Sequence, residues 1–295
     1  MPYKNKRALV RRGAFTIAGL VAATALVACS SSGSSSGSST PAAAGSSSAA
    51  DSSSAAAGLI HPGVLTVGMN LQFKPEMYLL SGKPAGYDVD LLNKLAAKLG
   101  VKLQIDNLDF NGLIPGLLAK KFDLVSVGLT PTAAREQVVD FTRAYVPYAS
   151  VLAVKQSNNS PAQISTFNKS GVTITALQGS SDQTTAQADF PKANVVGLSD
   201  QNSTLLEVST GRAEGAVLEN YILSQYQQAN PNQVKQAAMS KPLSLSYGAW
   251  AIQKGDSALQ SELNSFLCTA QSDGTLASLY KQDFGAALPA MPGGC

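Results

Sequence analysis

From Leu59 onward, apolar and polar positions fall into blocks of two alternating periods. Val64-Leu65-Thr66-Val67-Gly68 is a short apolar run of strand length. Residues 90–99 then carry Leu91, Leu92, Leu95, Ala96 and Leu99 at helical spacing, with Gly100 as the stop. Val101 to Ile105 predicts a second strand. A helix from about Asn111 places Leu113, Ile114, Leu117 and Leu118 on one face, with Pro115 in its first turn, where proline is tolerated. Leu124 to Val127 is a third, wholly apolar strand. Strand and helix alternate with short connections, which predicts an α/β layer on a largely parallel sheet.

After Tyr148 the pattern restarts. Strands are expected at 172–175, 194–196 and 215–218, with helices after Gly179-Ser180-Ser181, around 205–208 and over 221–228. An extended run over 245–252 precedes an amphipathic helix (Leu259, Leu263, Phe266, Leu267, Ala270) and a shorter one over 276–280. Two α/β units, with the last helices left over for the first, predict two lobes. The boundaries are 59–148 with 248–286 for one lobe, 149–247 for the other, and 287–295 as a tail. The extended runs near 147–154 and 245–252 are the natural crossings, and two crossing strands make a hinge with the ligand cleft between the lobes.

Composition changes the reading of the first sixty residues. Residues 1–28 hold Lys4, Lys6, Arg7, Arg11 and Arg12 and no acid, followed by an apolar stretch from Ala14 to Val27. A basic start and a short apolar segment form the pattern of a signal peptide, and the segment is shorter than the roughly 20 residues a membrane span needs. Leu26-Val27-Ala28-Cys29 resembles a bacterial lipobox. Cleavage there would leave Cys29 as the N-terminus, its sulfur carrying a diacylglycerol and its amine a further chain such as palmitate. Two or more chains give stable membrane anchoring, at about 0.8 kcal/mol per buried methylene. The Arg11-Arg12 pair hints at twin-arginine export, but the residues after it fit general secretion better. Residues 29–58 are then almost wholly Ser, Ala and Gly, a composition with nothing to bury, and read as a tether.

Without residues 1–28 the chain keeps 17 basic and 19 acidic side chains, so a net charge of +3 becomes −2. A near-neutral body gives no electrostatic reason for a nucleic-acid partner. Of three cysteines, Cys29 goes to lipid, leaving Cys268 and Cys295 in an oxidising compartment. They either pair, closing a loop of about 28 residues worth about 3.6 kcal/mol, or remain two thiols, one on a helix and one at the end.

Several segments, in order, resemble family 3 extracellular solute-binding proteins of ABC importers. They are Gly82-Lys83-Pro84-Ala85-Gly86-Tyr87-Asp88-Val89-Asp90-Leu91-Leu92, Lys121 to Thr130, Arg135, Val139-Asp140-Phe141-Thr142, Leu177 to Ser181, Gly211 to Val217 and Asp273-Gly274-Thr275-Leu276. The likeness covers about 60–286. It implies a two-lobed, type II periplasmic-binding-protein fold and capture of an amino acid or similar solute. It also implies an ABC permease as partner, a monomeric state, no cofactor, no metal and no catalytic residue.

The resemblance also implies a site. Arg135 would hold the ligand carboxylate through two parallel hydrogen bonds, with Thr130 and the backbone at Gly128 beside it. Ser180 and Ser181 enter a helix, whose N-terminus suits a carboxylate; simple capping is the alternative for both. Glu219 stands where relatives place an aspartate for the ligand ammonium. Phe73 matches an aromatic that covers the ligand, and Asn70 a position that is often acidic. Glu76 and Met77 replace the more usual aromatic after Pro75, and Ala144 stands where relatives often have proline. These departures bear on which side chain fits.

Catalysis has little to work with. The chain has one histidine, His61, beside Pro62. That leaves no Ser–His or Cys–His pair, no zinc cluster and no phosphate loop. A dehydratase using Glu219 as general acid is the enzymatic alternative, and a ligand-sensing receptor the non-enzymatic one.

Overall fold

The structure, a computed structural model, describes residues 58–295. The signal segment, Cys29 with its lipobox, and the tether up to residue 57 lie outside the described residues. Among the described residues no helix is long and apolar enough to cross a membrane.

The first apolar run forms β1 (Val64–Met69), buried from its second residue onward. Its placement depends on Asp123, whose carboxylate accepts from the amides of Ile60 and Thr66, both at 2.8 Å. Three short strands follow, β2 (Gln72–Phe73), β3 (Met77–Leu80) and β4 (Lys83–Ala85), which pair antiparallel as a small separate sheet. The periodicity does not predict them. Helix α1 (Tyr87–Leu99) begins three residues earlier than expected, because backbone carbonyls outside the helix serve its first amides. Tyr87 and Asp88 donate to the carbonyls of Pro75 and Glu76, at 3.3 and 3.0 Å. Gly100 ends it in the left-handed conformation, with φ 67°.

Then come β5 (Lys102–Asn107), a 3₁₀ turn (Phe110–Gly112), α2 (Leu113–Leu118), β6 (Leu124–Leu129), which is buried throughout, and the single-turn α3 (Ala133–Glu136). The chain next forms β7 (Val139–Lys155), which starts well before the expected crossing and runs for 17 residues. After it lie α4 (Ile164–Phe167), β8 (Thr173–Leu177), α5 (Ser181–Asp189), β9 (Asn194–Leu198), α6 (Gln201–Thr210), β10 (Gly215–Glu219), α7 (Asn220–Ala229) and β11 (Val234–Gln236). The second long strand, β12 (Ser244–Gln253), returns to β7, and α8 (Ser257–Ser272) and α9 (Thr275–Phe284) close the chain.

The main sheet has the order β5-β1-β6-β12-β7-β10-β8-β9, with β11 on β7. The expectation of a largely parallel sheet holds only within its two ends. β5, β1 and β6 are parallel, as are β10, β8 and β9. The centre is antiparallel, because β12 and β7 run against each other from Ser244↔Ser150 to Gln253↔Val139. These are the two expected crossing strands, fused into one continuous sheet. A register shift between Gly248 and Ala249 bends β12 where it passes β6.

The larger core surrounds Trp250, Tyr87 and Tyr145, all fully buried. A smaller one joins Leu152, Phe167, Ile174, Phe190 and Val217. Cys268 on α8 and Cys295 are joined as a disulfide with Cα atoms 5.4 Å apart, which resolves the choice left open by the sequence. It fastens the tail to the core-packed helix. Cys268→Ser is expected to lower stability by about 2–4 kcal/mol. Thermal melts with and without reductant check this: the wild type should fall to the variant's midpoint when reduced, and the variant should not respond.

Candidate functional site

The cleft opens where the ends of β6, β8 and β10 meet. Its lining consists of Phe73, Phe110, Val127, Gly128, Leu129, Thr130, Arg135, Tyr148, Leu177, Ser180, Ser181, Asp182, Gln201, Glu219 and Tyr221. Seven of the eight expected residues therefore come together. Asn70 is the exception. Its amide donates to the Leu108 carbonyl at 2.6 Å and its oxygen accepts from Gln72. Burial at the end of β1 turns it toward its neighbours, and it reaches the cleft only through Gln72, whose side-chain oxygen accepts from the Gln201 amide at 2.8 Å.

Arg135 is positioned by a helix start. Thr132 caps α3 and accepts from the Arg135 amide at 3.3 Å. The guanidinium donates to the Thr130 carbonyl at 2.7 Å and to the Gly179 carbonyl at 2.9 Å, on opposite walls of the cleft. It also lies 5.8 Å over the Phe110 ring. Three of its five N–H donors remain for a ligand. Burial pulls its pKa down to about 10, which leaves it charged at neutral pH.

Gly128 lies at φ +55° in the tightest part of the wall. A Cβ here would overlap the Tyr148 hydroxyl and come within 2.6 Å of Glu76 Oε1. Its amide donates to the Tyr145 hydroxyl at 2.9 Å, and Tyr145 in turn donates to Asp88 Oδ2 at 2.6 Å. Ser126 donates to the same oxygen at 2.6 Å and receives the Trp250 indole N–H at 2.8 Å. This buried network fixes the loop between β6 and α3.

The opposite wall begins with Ser180, which caps α5. Its hydroxyl accepts from the Gln183 amide at 3.1 Å and donates to the Leu177 carbonyl at 2.8 Å, so its one hydrogen is taken. Ser181 faces Thr130 across the cleft, hydroxyl to hydroxyl at 3.5 Å. The amides of Ser181 and Asp182 open the helix and have no intrahelical acceptor. Glu219 ends β10 and lines the same cavity as Asp182.

Four lining residues that bear on the chemistry escape the sequence reading: Phe110, Tyr148, Asp182 and Tyr221. Asp182 directly follows the quoted Gly-Ser-Ser turn and Tyr221 lies two residues after Glu219, so adjacency was the available signal. Glu76, read only as a departure in specificity, proves to be buried. Tyr148 and Tyr221 both donate to its carboxylate, the latter at 2.7 Å from α7. Phe73 is buried against Phe110, edge to face at 6.5 Å.

Glu76 and Asp88 form a buried carboxyl pair. Burial raises Asp88 to about 7; burial and the nearby Asp88 push Glu76 well above the carboxylate range. An unfolded aspartate titrates near 3.9. Both states bind the Asp88 proton below about pH 4, and only the folded state holds it between about 4 and 7. Stability is thus lost as pH rises through that window, on the order of 4 kcal/mol. Asp88→Asn is expected to flatten this dependence, seen as a smaller drop in melting temperature between pH 5 and pH 8 than in the wild type.

Comparison with known proteins places this geometry among relatives. A probable amino-acid-binding protein of Bacillus subtilis, YxeM, is 28% identical over 225 residues, covering 75% of this chain and 84% of its own. The crystal structure of an ancestral amino acid-binding protein, a precursor of cyclohexadienyl dehydratase, aligns with a TM-score of 0.69 and 30% identity. The alignment covers 75% of this chain and 95% of that one. The substrate binding protein of an amino acid ABC transporter aligns with a TM-score of 0.69 and 28% identity, covering 76% and 100%. The fold is accordingly the two-lobed, type II arrangement of periplasmic binding proteins. Residues 65–286 match the family described as bacterial extracellular solute-binding proteins, family 3, and the chain belongs to it.

Proposed function

We propose that this protein is the substrate-binding component of an ABC importer and captures an amino acid or close analogue outside the cytoplasmic membrane. The observation that carries this is the opposition of Arg135 on one wall to Glu219 and Asp182 on the other. An amino acid presents one carboxylate and one ammonium on a single carbon, and needs a cation and a carboxyl held apart by that distance scale. Arg135, Thr130 and the first amides of α5 would take the carboxylate, Glu219 the ammonium, and Phe73 and Phe110 the aliphatic part. The names of the similar proteins support this reading.

In the same reading the lobes are 59–148 with 248–286 and 149–247, and Arg135, Glu76 and Gln72 bond across the cleft as they close. Cys29 carries the lipid that holds the protein at the membrane, and the permease docks on the monomer. A thermal-shift panel of L-amino acids, opines and related small acids tests the proposal. Ligand at 100 times its dissociation constant adds about 2.7 kcal/mol. At least one amino acid is expected to raise the melting temperature, and a panel without any shift would contradict the reading.

One observation favours a second reading. Burial and Asp182 push Glu219 well above the carboxylate range, as a general acid requires. A dehydratase would lose turnover on Glu219→Gln while still binding its substrate; an importer component would show no turnover to lose.

A further inference from the structure

We infer that Asp182 is a second carboxyl at the ammonium end of the cleft, that it shares one proton with Glu219, and that a bound ammonium displaces this proton into solvent. This rests on the amino-acid reading of the cleft, and it assigns Asp182 a part in selecting the ligand.

Asp182 is 3% exposed, yet it lines the cavity. Its Oδ1 has no hydrogen-bond partner among the described residues. The Ser150 hydroxyl on β7 receives the Ser244 hydroxyl at 2.9 Å, which leaves its own hydrogen free for a carboxyl. Glu219 on β10, half-buried, lines the same cavity. Two neighbouring carboxylates shielded from water cannot both ionise cheaply, because neither desolvation nor their repulsion is offset.

The other charged and titratable groups around the pair do not remove the conflict. Glu76, from the segment before β3, adds a further carboxyl facing Glu219. Tyr221 on α7 is spent on Glu76, as is Tyr148 on β7. Arg135 on α3 directs two of its donors to the Thr130 and Gly179 carbonyls. Among the described residues no lysine or histidine lines the cavity. Burial holds both carboxyls above their ordinary range, Glu219 further than Asp182.

An ammonium changes this balance. It brings a positive charge and three N–H donors, enough for Glu219 and for the unpartnered Asp182 Oδ1. One O–H bond of the shared carboxyl breaks, the proton goes to water, and the two carboxylates share the cation. Below the pair's apparent pKa, affinity then rises about tenfold per pH unit.

The test uses the full chain with ¹³C-labelled Asp and Glu carboxyls, assigned through Asp182→Asn and Glu219→Gln. One of the two carboxyls is expected to be protonated at pH 7; finding both ionised overturns the inference without touching the amino-acid reading. Calorimetry then follows with L-alanine, L-glutamine and L-arginine in buffers of different ionisation enthalpy. For any that binds, the slope is expected to report about one proton released at pH 7, and Asp182→Asn to bring it near zero. A zero slope in the wild type, or an unchanged slope in the variant, overturns the exchange. If none of the three binds, the amino acid with the largest thermal shift in the panel takes their place; a panel without any shift takes the exchange down with the amino-acid reading, while the carboxyl titration still decides the shared proton.

Discussion

Arg135→Ala is expected to weaken amino-acid binding by about 30-fold or more while the protein stays folded. Among the described residues the guanidinium is the only cation lining the cavity, and its loss leaves the ligand carboxylate with no opposite charge, only Thr130 and the first amides of α5. Truncating one partner of a desolvated charge pair costs about 2–5 kcal/mol, and each 1.4 kcal/mol is a factor of ten. The same side chain bonds the Gly179 carbonyl across the cleft, so the variant also loses a contact that favours closure. The fold is spared because Arg135 sits on a one-turn helix outside both cores. Calorimetry measures the affinity, and circular dichroism the fold.

Gly128→Ala is expected to reduce both stability and binding. The left-handed backbone alone costs a residue with a Cβ about 1–2 kcal/mol. The added carbon also meets two groups that cannot move independently, because the Tyr148 hydroxyl and Glu76 are bonded to each other. Relief requires Tyr148 to swing out and give up Glu76. With about 2–4 °C per kcal/mol for a body of this size, a fall in melting temperature of several degrees should accompany the weaker binding. A variant that melts and binds like the wild type would show that this wall is loose.

Much of the fold was legible because its signals are local. The apolar run before Gly68, the Leu91–Leu99 periodicity and Gly100 specify β1 and α1 whatever surrounds them. Several residues of the family-like segments turn out to be structural: Asp88 anchors the Tyr145–Ser126 network, Asp123 ties β1, and Asp140 accepts the Gly255 amide at 2.7 Å. The small sheet of β2–β4 escaped because strands of two to four residues carry no measurable period, and Leu79 and Leu80 are half exposed. The resemblance puts Asn70 at a position that is often acidic in relatives, but here its hydrogen bonds are to Leu108 and Gln72.

The carboxyl side of the cleft was the least legible part. Glu219 alone looked like a complete ammonium acceptor. That Asp182 lines the same cavity depends on α5 and β10 meeting there, which no periodicity encodes. Tyr148 and Tyr221 likewise become cleft residues only when β7 and α7 bring them to Glu76, stacked with ring centroids 6.1 Å apart. Such juxtapositions are tertiary, and the sequence shows only their separate parts.

The central claim is that Arg135 and Glu219 hold the two charged ends of one amino-acid head group. Its most direct test is calorimetry on the amino acid with the largest thermal shift, beside its methyl ester and its N-acetyl derivative. The ester removes the charge that Arg135 faces, and acetylation the charge that Glu219 faces. Both derivatives are expected to bind at least about 30-fold more weakly than the parent, on the scale of a lost charge-assisted contact. If either binds as tightly as the parent amino acid, the head group is not held between these residues.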